Sequence, residues 1–196
     1  MKTNKYIDSH VHISMDFPLG QSVEAFRWFN EAGHIERTNF LALNAHTFFQ
    51  ETQLDNSKCL YLKSAFAPYG YAGYCIDHSK PETADGYHEQ IKTAVAAGFD
   101  CWKIIESKPN AQGVWKTRID SPVYEKAFAY AEKTGFPIII HVADPIGLWK
   151  DEYKNGYLEK KEYQNQALNV LERHPNLVLT FAHFGFFCDR PDFVEK

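Results

Sequence analysis

Short apolar runs alternate with longer segments of helical period along this chain, and that alternation constrains the fold more than any other feature. Short continuous apolar runs suit strands covered on both faces, and a strand–helix–strand order predicts an α/β protein with a parallel sheet. Six such units can be read. The first strand is Lys5 to His10, followed by a helix from Ser22, as N-cap, to Ala32, with Gly33 as its stop. The second strand is Asn39 to Leu43, with a short helix from Thr47 to Leu54, and the third strand is Leu60 to Phe66. A long loop, Ala67 to Ala84, leads to a helix from Gly86 to Ala97 that ends at Gly98. The fourth strand is Cys101 to Ile105, and the loop from Glu106 to Asp120 follows it. Ser121 as cap with Pro122 at the first helical position starts a helix that runs to Thr134. The fifth strand is Pro137 to His141, its helix Lys160 to Arg173, and the sixth strand Leu177 to Ala182, with Asp189 to Lys196 reading as the start of a sixth helix.

At 196 residues the chain has enough length for one core of ordinary size. A net charge of −4 gives no steering toward nucleic acid or an anionic membrane, and no apolar stretch has the length of a membrane span. Cys59, Cys75, Cys101 and Cys188 form no CxxC pair, and the opening MKTNKYIDSH has no apolar run of a signal peptide. A reduced, cytoplasmic protein is the expectation.

The chemistry gathers at the strand ends. In a parallel barrel the C-terminal ends of all strands open on one face, where such enzymes keep their active sites. The first strand ends Asp8-Ser9-His10-Val11-His12, the fourth holds Lys103 and runs into Glu106, the fifth ends in His141 and the sixth leads into His183. Residues two apart on a strand point to the same side, so His10 and His12 can both reach one metal ion. The pair alone is a common short motif, and its place at a strand end is what gives it weight. His141 and His183 each have a plainer reading as packed core histidines.

Lys103 lies among apolar neighbours, where an unpaired ammonium is costly. A salt bridge with Glu106 or Asp144, contact with an anionic substrate, or a carbamate bridging two metals would each relieve that cost. Lys108 adds a second hint of an anionic substrate. His46, with Asn44, follows the second strand and is placed at the same rim, beside Glu106, as a substrate-binding candidate. His78 and His88 are expected to face solvent, His34 follows a helix stop, and His174 sits at a helix C-terminus. Trp102, Trp115 and Trp149 are expected to pack rather than bind.

Asp8-Ser9-His10-Val11-His12, Lys103 within Trp-Lys-Ile-Ile-Glu, Ile140-His141-Val142-Ala143-Asp144-Pro145 and Phe181-Ala182-His183-Phe184-Gly185 together resemble the strand 1, 4, 5 and 6 signatures of the amidohydrolase superfamily. Within it they are most similar to the amidohydrolase-related branch that includes the aminocarboxymuconate-semialdehyde decarboxylase-like enzymes. The resemblance implies a (β/α)8 TIM-type barrel with one or two divalent metal ions, zinc being the expected one. It implies that His10, His12 and His141 are metal ligands, and that His183 is a ligand of a second metal or polarises the substrate or the attacking water; Lys103 stands beside His183 as the second catalytic candidate. The implied reaction is hydrolysis of an amide, ester or lactone bond in a small, anionic-leaning substrate by a metal-activated water. Two alternatives stand beside it: a metal-dependent decarboxylase of an unsaturated carboxylic acid, and a metal-binding fragment without catalysis.

The family carries a strand 8 aspartate to which no residue here corresponds, since Asp189 and Asp192 lie too close to the sixth strand. About six of eight βα units are present, which makes a truncated barrel the expectation. Unpaired strands at both ends also admit a homo-oligomer or another covering partner.

Overall fold

Three successive isoleucines, Ile138–Ile140, form the whole of one strand, with the first and last fully covered by protein. That is how a strand reads when helices pack on one face and the inside of a barrel lies on the other. In the computed structural model, which describes residues 5–13, 18–42, 52–80, 82–149 and 157–189, six parallel strands run in the order β1-β2-β3-β4-β5-β6. They are β1 (Tyr6–Ile13), β2 (Ile35–Ala42), β3 (Gly70–Tyr74), β4 (Cys101–Ile104), β5 (Ile138–Ile140) and β6 (Leu179–Phe181). The helices are α1 (Leu19–Ala32), α2 (Thr52–Ala65), α3 (Ala84–Ala97), α4 (Pro109–Trp115), α5 (Glu125–Thr134) and α6 (Lys160–Arg173). The sheet curls into a partial TIM barrel, as the alternation predicts.

The two faces of the sheet follow from the period of two. Phe40 and Ala42 of β2, Ala72 and Tyr74 of β3, Trp102 and Ile104 of β4, and Ile138 and Ile140 of β5 join the helices in one apolar core. Phe26 of α1 and Phe66 after α2 flank Phe40, and Trp102 packs on Phe128 of α5. Alternate residues, Asn39, Cys101 and Lys103 among them, face the concave side. There the Asn39 amide approaches Cys101 Sγ, and Lys103 Nζ reaches His10 of β1.

Two sequence readings need correction. Leu60 to Phe66 is the end of α2 and the turn after it, not the third strand. Its apolar residues Cys59 and Leu62, with Phe66 beyond, recur at three- and four-residue spacing and fall on one helix face. The third strand is instead Gly70–Tyr74, whose glycines hide it from any strand propensity scale. The backbone passes close at Gly73, where a Cβ would meet the Leu41 side chain and stand 2.9 Å from Cys101 Sγ, so both would have to move aside for a larger residue. The loop between Glu106 and Asp120 also contains α4, with Pro109 at its first position.

Smaller differences are at ends. α1 starts at Leu19, so Ser22 lies inside it and bonds back to the Pro18 carbonyl. Gly33 follows it with φ −88°, and His34 takes the left-handed conformation instead. Thr83 caps α3 by accepting the Gly86 N–H, and Gly98 ends it at φ 92°. Ser121 and Pro122 start a short 3-10 turn that leads into α5, and α6 occupies its expected span. The expected helix from Thr47 falls mostly outside the described residues, as do residues 190–196 of the expected sixth helix.

Candidate active site

β1 brings His10 and His12 to one side, with their Nε2 atoms 3.0 Å apart. An extra residue on β1 between Asp8 and Val11, relative to β2, bends the strand at this point. Lys103, fully buried on the concave face of β4, places Nζ 3.2 Å from His10 Nε2. His141, directly after β5, is anchored by its N–H on the Ile104 carbonyl. His183, two residues beyond β6, has its ring centroid 5.2 Å from that of His10 and 5.1 Å from that of His141. Four imidazoles and one amine from β1, β4, β5 and β6 therefore meet at one rim.

His10, His12 and His183 are shifted toward the neutral form. Burial, followed by the charge of Lys103 and the neighbouring imidazoles, brings His10 down to about 3. Burial and Lys103 bring His12 to about 4, although the residue as a whole is exposed. His183 is lowered by burial, His141 and Lys103. Burial pushes Lys103 itself down to about 8, against the opposing pull of Cys75, Cys101 and Glu106. One consistent proton assignment leaves His10 Nε2 unprotonated, accepting from both Lys103 and His12.

The His10–His12 spacing suits a cation. Two nitrogens each about 2.0–2.1 Å from one tetrahedral ion lie about 3.3–3.4 Å apart, close to the 3.0 Å observed. The third expected ligand is turned elsewhere: His141 Nε2 lies 3.3 Å from Asp144 Oδ1. Among the described residues no group of three or more His, Cys, Asp or Glu side chains stands ready to hold an ion. The donor chemistry fits a divalent metal at the pair, and His141 and His183 are the adjoining nitrogens.

The turn bearing His183 is strained. His183, Phe184, Gly185 and Phe186 all have positive φ between 51° and 59°. Left-handed backbone costs a non-glycine residue roughly 1–2 kcal/mol, so the surroundings must fix it. Gln164, buried in α6, does so by donating to the Gly185 and Phe186 carbonyls at 3.3 and 3.0 Å. Nothing in the sequence marked this glutamine, which is one polar residue among many on α6.

Several expected pairings are not made. Lys103 has no carboxylate within salt-bridge distance among the described residues. Asp144 is bound by Lys108 at 2.7 and 2.8 Å instead, and Glu106 by His78 at 2.8 Å. Asp144 is pushed up by burial but held lower overall by His141 and Lys108. Glu106 is wholly buried, and its second oxygen accepts the Ile105 N–H, so it has no oxygen open to a substrate. His78, expected in solvent, is packed against Trp115 with the rings 4.2 Å apart. His174 follows α6 as expected, but is buried between Glu125 and Glu132. His46 and Asn44 lie outside the described residues.

No protein-family model and no curated protein matches the chain. Solved structures do. A TIM-barrel protein from Bordetella bronchiseptica superposes with a TM-score of 0.67 at 16% identity, over 98% of this chain and 70% of its own. A 2,6-dihydroxybenzoate decarboxylase matches with a TM-score of 0.59 at 15% identity, over 93% of this chain and 68% of the other. An amidohydrolase from Mycobacterium avium subsp. paratuberculosis matches at 0.55 and 17%, over 85% of this chain and 50% of that one. What they share with this chain is the barrel fold. The chain thus spans between half and about two thirds of the length of these barrels, and its strand-end histidines occupy the face where barrels carry their chemistry.

Proposed function

We propose that the rim is the metal centre of an amidohydrolase-type enzyme that hydrolyses an amide, ester or lactone bond in a small molecule. The observation that carries this reading is the convergence of His10, His12, His141 and His183 beside the buried amine of Lys103. His10 and His12 would hold a divalent ion, zinc by preference for nitrogen donors, and His141 would join them through the ring nitrogen that Asp144 does not occupy. When bound, the ion would polarise a carbonyl and acidify a water.

The chain's own residues do the rest. His183, exposed on its strained turn and held neutral, offers a ring nitrogen as a proton acceptor toward water or substrate. Asp144, charged and fixed by Lys108, orients His141. Burial and then the charge of Lys103 keep His10 and His12 unprotonated, and an ion at the pair would take the His10 Nε2 lone pair in place of the Lys103 hydrogen bond.

A decarboxylase on the same groups is the second reading, favoured by the fold likeness to 2,6-dihydroxybenzoate decarboxylase. The zinc-loaded chain assayed against ester, lactone and amide panels, beside a panel of unsaturated and aromatic carboxylic acids, separates them. Alcohol, amine or ring-opened product supports hydrolysis. Carbon dioxide release with no hydrolytic product sinks it. Loss of either activity in His183→Asn at unchanged metal content supports the role given to His183.

A further inference from the structure

A second cluster lies behind the C-terminal end of β4, apart from the histidine rim and independent of the function proposed for it. The His78 imidazole, on the loop after β3, is almost wholly buried. Its Nε2 is 2.8 Å from Glu106 Oε1, and its Nδ1 is 2.9 Å from the Tyr87 hydroxyl of α3 and 3.5 Å from Glu82 Oε1. Its face stacks on Trp115 of α4 at an interplanar angle of 20°. Glu82 also accepts from Thr117, just past α4, at 2.9 Å. One ring thus ties together the β3–α3 loop, the end of β4, α3 and α4.

The charges facing the ring are Glu106 from just after β4 and Glu82 from the segment before α3. Tyr87, with Tyr124 behind it, and Trp115 bring none. Lys103 acts on Glu106 only through space and is turned toward His10, while Lys80 on the same loop pairs with Asp77. An imidazolium has an N–H for each carboxylate, whereas a neutral ring keeps one N–H for Glu106 and leaves Nδ1 to accept from the Tyr87 hydroxyl at 2.9 Å, with no N–H for Glu82 at 3.5 Å. A buried carboxylate left without a cation is costly.

We propose that His78 is a pH-operated latch: as imidazolium it holds Glu106 and Glu82 together and so fastens the β3–α3 loop to α4, and as a neutral ring, with its one N–H on Glu106, it lets go of Glu82 and of the contact Glu82 carries to Thr117 just past α4. Burial opposes the charged ring, but the bonds and charges of Glu106 and Glu82 outweigh it and raise His78 above its ordinary value. The sign follows. A raised histidine adds stability that is fully present below the ordinary value and lost as pH rises through the folded one. Release has a route to the rim, because Lys108 at the start of α4 holds Asp144, which faces His141.

Hydrogen exchange of the full chain tests this, with segments 75–83, 109–115 and 125–134 followed between pH 5.5 and 9 and corrected for intrinsic exchange. The first two segments should lose protection together by roughly tenfold as pH rises, the scale of a charge-assisted hydrogen bond, while α5 is unchanged. His78→Gln should leave both segments weakly protected at every pH. Glu82→Gln, a surface change that spares the fold, should move the transition to lower pH. Flat protection in the wild-type chain, the same pH response in His78→Gln, or an unmoved transition in Glu82→Gln would each overturn the latch.

Discussion

Lys103 is the residue on which the rim turns. It is fully buried with no carboxylate partner among the described residues, and it is the second cause, after burial, that holds both His10 and His12 low. Lys103→Met should therefore let both imidazoles titrate nearer their ordinary value, seen in the proton shifts of the rings by NMR. Its effect on stability should be small or favourable, because a buried charge without a partner is exchanged for an apolar chain of similar length. Rings that stay low in the variant would assign the shift to burial alone. The His10-x-His12 pair was legible in the sequence because residues two apart on any strand share a side. The partners of Lys103, Glu106 and Asp144 were not. Which carboxylate meets which cation depends on how the loops after β3 and β4 fold back, and it was His78 and Lys108 that claimed them.

At the scale of elements, the alternation carried most of the fold, and the failure was local. The last turns of α2, from Leu60, read as a strand because Leu60, Leu62 and Phe66 crowd into a short apolar run, while the true β3 is Gly-Tyr-Ala-Gly-Tyr. Where β3 passes closely over the Leu41 and Cys101 side chains, a residue larger than glycine would have to displace them, so packing favours glycine against strand propensity. Gly73→Ala tests that account. It should cost about 1–3 kcal/mol, the usual range for overpacking, read as a lower urea midpoint with unchanged slope. A neutral substitution would show that β3 has room to spare. At a helix start, Thr83→Ala should cost about 1 kcal/mol by removing the acceptor of the Gly86 N–H at the head of α3.

At the scale of the molecule, the two depressed imidazoles make the metal-free chain acid-sensitive. Between the ordinary 6.5 and about 4 the unfolded chain binds more protons than the folded one, so stability must fall as pH is lowered through that window. Urea midpoints across it should decline, and the decline should be shallower in the His10→Ala/His12→Ala variant; equal slopes would mean that other groups carry the acid sensitivity. The central claim, that the converging histidines bind a metal, is tested most directly by equilibrium dialysis against zinc with elemental analysis. Folded wild-type chain should retain about one zinc or more, at the nitrogen ligation expected of such a site, and His10→Ala/His12→Ala should retain none. A folded chain that takes up no zinc, or a double variant that holds as much as the wild type, would contradict it.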